Sequence, residues 1–264
     1  MASIKLSPFS MWLLALVFTA MGLVVQRRTG ERMPIELDTP WQGRNVSTVL
    51  ARNHVGPGGQ RLVVEGVDPD WTGTVIWRRY GGGGEYRRES LRNLGSMLSG
   101  ELSPQPRGSA LEYRVEVEAQ GGKLLRLPER GTVITRYKGA IPLWVSLPHL
   151  LLLYLGLFLG VRAGLEALAL GSGSHTLAGV ALICFLFGGL LFGPLMKVNA
   201  YGILWKGPPL GLDSTDTKTL VLVLAWLAPV ILRARGRRAR RWIVLAAVLS
   251  VIAFLIPHSV FGVS

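Results

Sequence analysis

The sequence predicts a membrane α-helical bundle of about five transmembrane helices, with an all-β, sandwich-like extracytoplasmic domain inserted after the first of them. Three observations carry this prediction. Several apolar stretches are long enough to cross a hydrocarbon core, a glycine- and proline-punctuated region of short strand-like runs separates the first from the second, and an arginine-dense link joins the last two. Composition agrees: 49% hydrophobic against 17% charged residues, with a mean hydropathy of +0.37, exceeds what a soluble globule of 264 residues carries.

Residues 9–25 form the first apolar stretch, near the lower length limit of about 17 residues for a core about 30 Å thick. It reads as an anchor within residues 1–28; a cleaved signal peptide is the alternative, because Ala20-Met21-Gly22 offers a small-x-small pattern downstream of Lys5. Residues 141–161 and 177–195 have clear spanning length and almost no charge, while 217–232 and 242–261 suffice once their polar ends reach the interface. Trp205, Trp226 and Trp242 include interface anchors. Residues 141–264 are thus expected to form a four-helix membrane domain. Its outer loop, 197–216, carries Gly202, Gly207, Pro208, Pro209 and Gly211 and reads as re-entrant-like, which requires protein or water to satisfy its backbone.

Orientation follows from Arg233, Arg235, Arg237, Arg238, Arg240 and Arg241, since so basic a short loop stays in the cytoplasm. Alternation then places the 162–176 link in the cytoplasm, and puts residues 26–140, the 197–216 loop and the C-terminus outside. Arg27 and Arg28 oppose this only weakly, because long translocated domains largely escape the rule.

The domain 29–140 contains strand-like runs at 61–67, 72–80, 85–91, 111–119, 123–127 and 132–137. From Leu111 to Glu118, Leu, Tyr, Val and Val alternate with Glu, Arg, Glu and Glu, as a half-solvated antiparallel strand requires. Gln120-Gly121-Gly122-Lys123 reads as a tight turn, and Gly81 to Gly84 as a hairpin loop, since no helix follows to make a phosphate cradle. The strand spacing, with Tyr113 as a tyrosine-corner candidate, resembles immunoglobulin-like and fibronectin type III-like modules, which implies binding or spacing. The sole cysteine, Cys184, lies in an apolar run and forms no internal disulfide. Despite a net charge of +13, the arginines form no aromatic-interleaved stripe, so no nucleic-acid partner is expected.

The chemistry-bearing residues gather at the expected outer membrane face: His149, Asn199, Tyr201, Lys206, Asp213, Thr215, Asp216, Lys218 and His258. Ionisable groups near lipid are functional candidates when they face the bundle interior. His149, Asp213, Asp216 and His258 are the metal-ligand candidates, and such a cluster suits a divalent metal, a proton relay or an anionic headgroup. Against this stands a structural role for each: Asp213 or Ser214 can cap the fourth span, Asp216 can complete a capping box, and each histidine, following a proline, can act as a hydrogen-bonded anchor. No catalytic residue or cofactor is assigned.

The segments 211–220 and 256–262, and Arg136-Tyr137-Lys138-Gly139 leading into Pro148-His149, resemble an uncharacterised family of bacterial integral membrane proteins with an extracytoplasmic β-domain. The resemblance covers most of residues 60–262 and implies a multi-pass protein of the bacterial inner membrane without assigning an activity. The expected function is a non-enzymatic accessory or partner-binding subunit, held in membrane lipid, whose β-domain meets a protein partner or envelope component. The alternatives are an outer-leaflet enzyme or ligand- or metal-binding protein using His149, Asp213, Asp216 and His258, and a small transporter component, which the lack of an internal repeat disfavours.

Overall fold

A computed structural model describes residues 7–28 and 33–256 of the chain, which divides into a helical unit and a β unit. The helical unit contains α1 (Pro8–Arg28), α2 (Leu143–Leu168), α3 (Ser174–Phe185), α4 (Phe192–Tyr201, its last residues excepted), α5 (Ser214–Ala234) and α6 (Arg240–Leu255). A π-helical turn, Leu186–Leu191, joins α3 to α4 into one helix, Ser174–Tyr201. Four helices are long and apolar enough to cross a membrane: Pro8–Arg28, Leu143–Leu168, Ser174–Tyr201 and Ser214–Ala234. The fifth expected span matches α6, although residues 257–261 of it lie outside the described residues.

Local chemistry explains these boundaries. Pro8 opens α1 at its first position, where no N–H is needed, and the Ser7 hydroxyl accepts from the Ser10 amide at 3.1 Å. Pro194 cannot donate to Leu190, and its ring crowds that carbonyl, so the helix widens into a π turn just before it. Gly188 lies in that turn, where a Cβ would stand 2.8 Å from Leu152 Cβ.

Helix α2 corrects one expectation. It runs on through Arg162 to Leu168, which shortens the 162–176 link to residues 169–173. Charge need not end the helix, because Arg162 is paired one turn later with Glu166 and lies 5.0 Å over the Trp12 ring.

Small residues on α2 set the close approach of the helices. Gly156, Gly160 and Gly164 form a stripe facing Phe185, Trp226 and Ala247. The fully buried Trp226 donates its Nε1–H to Ser250 Oγ at 2.8 Å, and Ser250 donates to Ala246 O at 2.8 Å.

The β unit comprises Arg32–Ala140 and Asn199–Gly202. Its strands are β1 (Ile35–Trp41), β2 (Arg44–Leu50), β3 (Asn53–Val55), β4 (Gln60–Glu65), β5 (Thr72–Arg79), β6 (Arg87–Asn93), β7 (Met97–Leu102), β8 (Ala110–Glu118), β9 (Leu124–Leu127) and β10 (Val133–Lys138). They form one curled, mixed sheet in the order β1-β2-β4-β7-β6-β5-β8-β10-β3, with β9 on β8 and a parallel pairing only between β3 and β10. Strand β6 makes the turn of the sheet: Arg87 to Leu91 pair with β5, whereas Arg92 and Asn93 pair with β7. The expected sandwich is therefore a single hydrogen-bonded path closing over one core that includes Val46, Leu62, Trp77, Leu98 and Val115.

Six strands match the expected runs; β1, β2, β3 and β7 do not appear in the sequence reading. Strand β1 is an edge carrying Asp38 and Pro40, residues that strands elsewhere avoid. It joins β2 through Gln42 and Gly43, both at positive φ. Strand β7 carries glycine at position 100, where a Cβ would lie 2.4 Å from Leu91 Cδ2. The apolar face of β8 is as expected, with Leu111, Tyr113, Val115 and Val117 fully buried, but Glu116 on the other face is buried too, paired with Arg114 and Arg126. Tyr113 does not make a local corner: its hydroxyl donates to Ala51 O at 2.9 Å, 62 residues upstream, and accepts from Gln60 Nε2 at 3.2 Å.

Two substitutions test this packing through the thermal midpoint of the detergent-purified chain. Gly160→Leu must displace Trp226 and is expected to cost about 1–3 kcal/mol or more; an unchanged midpoint would contradict the close approach. Tyr113→Phe deletes the hydroxyl that donates to the Ala51 carbonyl and accepts from the Gln60 amide, which keep their 3.2 Å bond to each other, at an expected cost of about 0.5–1.5 kcal/mol, and the β unit should become measurably more sensitive to protease.

Candidate functional site

The helical unit brings Lys197, Lys206, Asp213 and Asp216 together where α4, the 202–213 loop and the start of α5 meet. Lys197, near the end of α4, donates from Nζ to Asp213 Oδ1 at 2.7 Å and to Asp216 Oδ2 at 2.6 Å. Its side chain is 15% exposed, those of Asp213 and Asp216 20% and 5%. Asp213 is the N-cap of α5 and accepts from the amides of Thr215 and Asp216 at 3.1 and 3.0 Å. The capping box does not close, because Asp216 turns away from the Asp213 amide. It accepts instead from the Lys206 amide at 2.7 Å, while Asp213 N–H donates to Lys206 O at 3.0 Å.

Lys206 is thus held at both its backbone groups, and the loop folds around it. A Cβ at Gly207 would stand 2.6 Å from Asp216 Cβ, and one at Gly211 would stand 2.5 Å from Lys206 O, so both positions exclude side chains. Since α4 extends to Tyr201, the irregular part of the expected 197–216 loop is confined to 202–213. Burial pushes the Asp213 carboxyl up, but the Lys197 hydrogen bond and charge, with the amides of Asp216 and Thr215, outweigh it and hold the group below the usual carboxylate range.

The other expected site residues make different bonds. His149 Nδ1 lies 2.7 Å from the Gly188 carbonyl. A carbonyl only accepts, so Nδ1 carries the proton and the ring satisfies a backbone group within the π turn. Lys218 donates from Nζ to Ile256 O at 2.8 Å. That carbonyl also accepts from Gln26 Nε2 at 3.0 Å, so α1, α5 and the end of α6 are tied at one end of the helical unit. Thr215 serves the α5 cap, and its carbonyl accepts from the Thr219 hydroxyl at 3.0 Å.

Asn199 and Tyr201 belong to the β unit, where Gly139 N–H donates to Ala200 O at 2.9 Å and Lys138 Nζ lies 5.5 Å from the Tyr201 ring centroid. His258 lies outside the described residues. Among the described residues, no three His, Cys, Asp or Glu side chains gather as a metal-binding group, so His149 does not join the two carboxylates in one.

Lys197 is the participant the sequence reading missed. It stood at the boundary of an apolar run and looked like the first loop residue, whereas its place one turn before the end of α4 lets it meet both carboxylates. Arg162 and Glu166 were missed as a pair, although their i,i+4 spacing was visible.

Lys197→Met is expected to destabilise the chain by about 3–5 kcal/mol, because two largely buried carboxylates lose their cation; an unchanged midpoint would remove Lys197 from any structural role. A carboxyl whose folded pKa is depressed contributes stability above its unfolded pKa, near about 3.9. That stability is lost as pH falls through the lower folded value. The wild-type midpoint is therefore expected to fall as pH drops below about 4. Asp213→Asn, weaker at neutral pH, should fall less steeply there, and identical acid profiles would show that Asp213 is not linked to folding.

No family model matches the chain and no curated protein matches it, so the functional reading rests on this geometry.

Proposed function

We propose that this is a multi-pass membrane protein, with α6 as a fifth span, that carries its β unit outside the cytoplasm as a binding module for a protein partner or envelope component. It acts as an accessory subunit rather than as a catalyst. The observation that carries this reading is how the candidate polar groups are used. Asp213 caps a helix, Asp216 and Lys197 clasp a loop, and His149 satisfies a carbonyl, so their hydrogen-bonding capacity serves the helical unit itself.

The β unit instead offers a surface. Tyr86 is exposed, with the Arg78 guanidinium 4.4 Å and that of Arg114 6.0 Å from its ring centroid, and both arginines are ion-paired to glutamates on β8. Tyrosine and arginine held in place in this way are the residues that anchor protein interfaces at low entropic cost. The orientation rests on the arginines of the α5–α6 loop, and the bacterial inner membrane rests on the family resemblance.

Two experiments test the reading. In a Cys184→Ser background, Gly82→Cys should react with a membrane-impermeant maleimide in intact cells, and Gly236→Cys only after permeabilisation; the reverse pattern overturns the orientation. Reciprocal capture from crosslinked membranes should recover one dominant partner, lost with Tyr86→Ala or on deleting residues 40–137. Repeated capture without such a partner would sink the binding role.

A further inference from the structure

Among the described residues of the helical unit, the arginines between α5 and α6 have no free counter-charge. Residues 141–256 contain only three carboxylates, those of Glu166, Asp213 and Asp216, and α1 contains none. All three are taken: Glu166 by Arg162, and Asp213 and Asp216 by Lys197. Among the described residues, none of Arg233, Arg235, Arg237, Arg238, Arg240 and Arg241 forms an ion pair, and all but Arg240 are exposed.

The loop is also held close to the helix ends. Gly236, at φ 71°, donates to Arg233 O at 2.9 Å, and Arg237 N–H donates to Leu232 O at 2.9 Å, which closes α5 with a Schellman turn. Arg240 Nη2 donates to Leu170 O at 3.0 Å and ties the start of α6 to the α2–α3 turn. Residues 235–239 would span at most about 17 Å even if fully extended between their two helices. The guanidinium groups therefore stay at the level where α5 and α6 leave the hydrocarbon, on whichever side that is.

We propose that the α5–α6 loop is a binding site for the phosphates of anionic phospholipid headgroups. The inference rests on reading α5 and α6 as membrane helices. Guanidinium pairs bidentately with phosphate, and the attraction of a basic loop to an anionic leaflet amounts to about fivefold in affinity per arginine. Exposed Trp242, at the third position of α6, marks the same interface.

The test uses the full chain, delipidated in a neutral detergent, with bound lipid counted by native mass spectrometry. Phosphatidylglycerol and phosphatidylcholine with identical acyl chains are compared at low and high salt. Wild type should bind phosphatidylglycerol at least on the order of a hundredfold more tightly, with the preference shrinking as salt rises. The triple variant Arg235→Gln, Arg237→Gln, Arg238→Gln should lose that preference by on the order of a hundredfold. The corresponding triple lysine variant should retain most of it, which separates charge from misfolding. Equal binding of the two lipids by wild type, or an unchanged preference in the glutamine variant, overturns the proposal. So does displacement of phosphatidylglycerol by equimolar glycerol phosphate, which would make the site one for free phosphate, or by a short nucleic-acid duplex. Failure of the membrane reading itself would show separately, as release of the chain from membranes by alkaline carbonate.

Discussion

A charge removed from water must take its counter-charge with it, and two places in the helical unit obey this constraint. Glu166 accompanies Arg162 inside α2, and two aspartates accompany Lys197 at the α4–α5 junction. Each pairing lets a helix continue, or a loop close, where an isolated ionic group would have forced the chain out toward solvent. The bond between Asp216 and the Lys206 amide carries the same logic to the backbone, because the loop that joins two apolar helices must still satisfy its own donors.

Backbone groups freed by irregularities are treated similarly. Proline at 194 produces a π turn, and the imidazole of His149 supplies a donor to Gly188 in that turn. Where α6 ends, its last carbonyls lack intrahelical partners. Gln26 bonds to both Phe254 O and Ile256 O, and Lys218 shares the second. Tryptophan 226 meets the packing side of the problem, since its ring fits only because position 160 carries no side chain.

Much of this architecture was legible in the sequence. Continuous apolar runs reveal membrane helices because a helix satisfies every backbone group within the run itself, and α1, α2, the long α3–α4 helix and α5 all fall where such runs lie. Their ends were less legible, since Arg162 looked like a terminus until its partner and the Trp12 ring were in view. In the β unit, the alternating strand β8 could be read residue by residue, whereas β1 owes its state to pairing with β2 and carries residues that do not favour strands alone. For the site, the Asp213 cap was readable from one short segment, whereas Asp216 leaves the expected capping box for the Lys206 amide. The identity of their cation was not readable, because Lys197 meets them only through the way α4 and α5 approach each other. Asn199 and Tyr201 sit beside that segment in the sequence but fold with the β unit.

The shared carbonyl of Ile256 also bears on biogenesis. Gln26 of α1 is made long before Lys218 of α5, yet both depend on an acceptor at the very end of α6. During synthesis the first helix must therefore wait beside α2 until more than two hundred further residues have emerged. A ribosome that stalls before α6 leaves a bundle in which α1 and α5 lack their common tether, so the emergence of α6, rather than insertion of an earlier span, is what locks this unit.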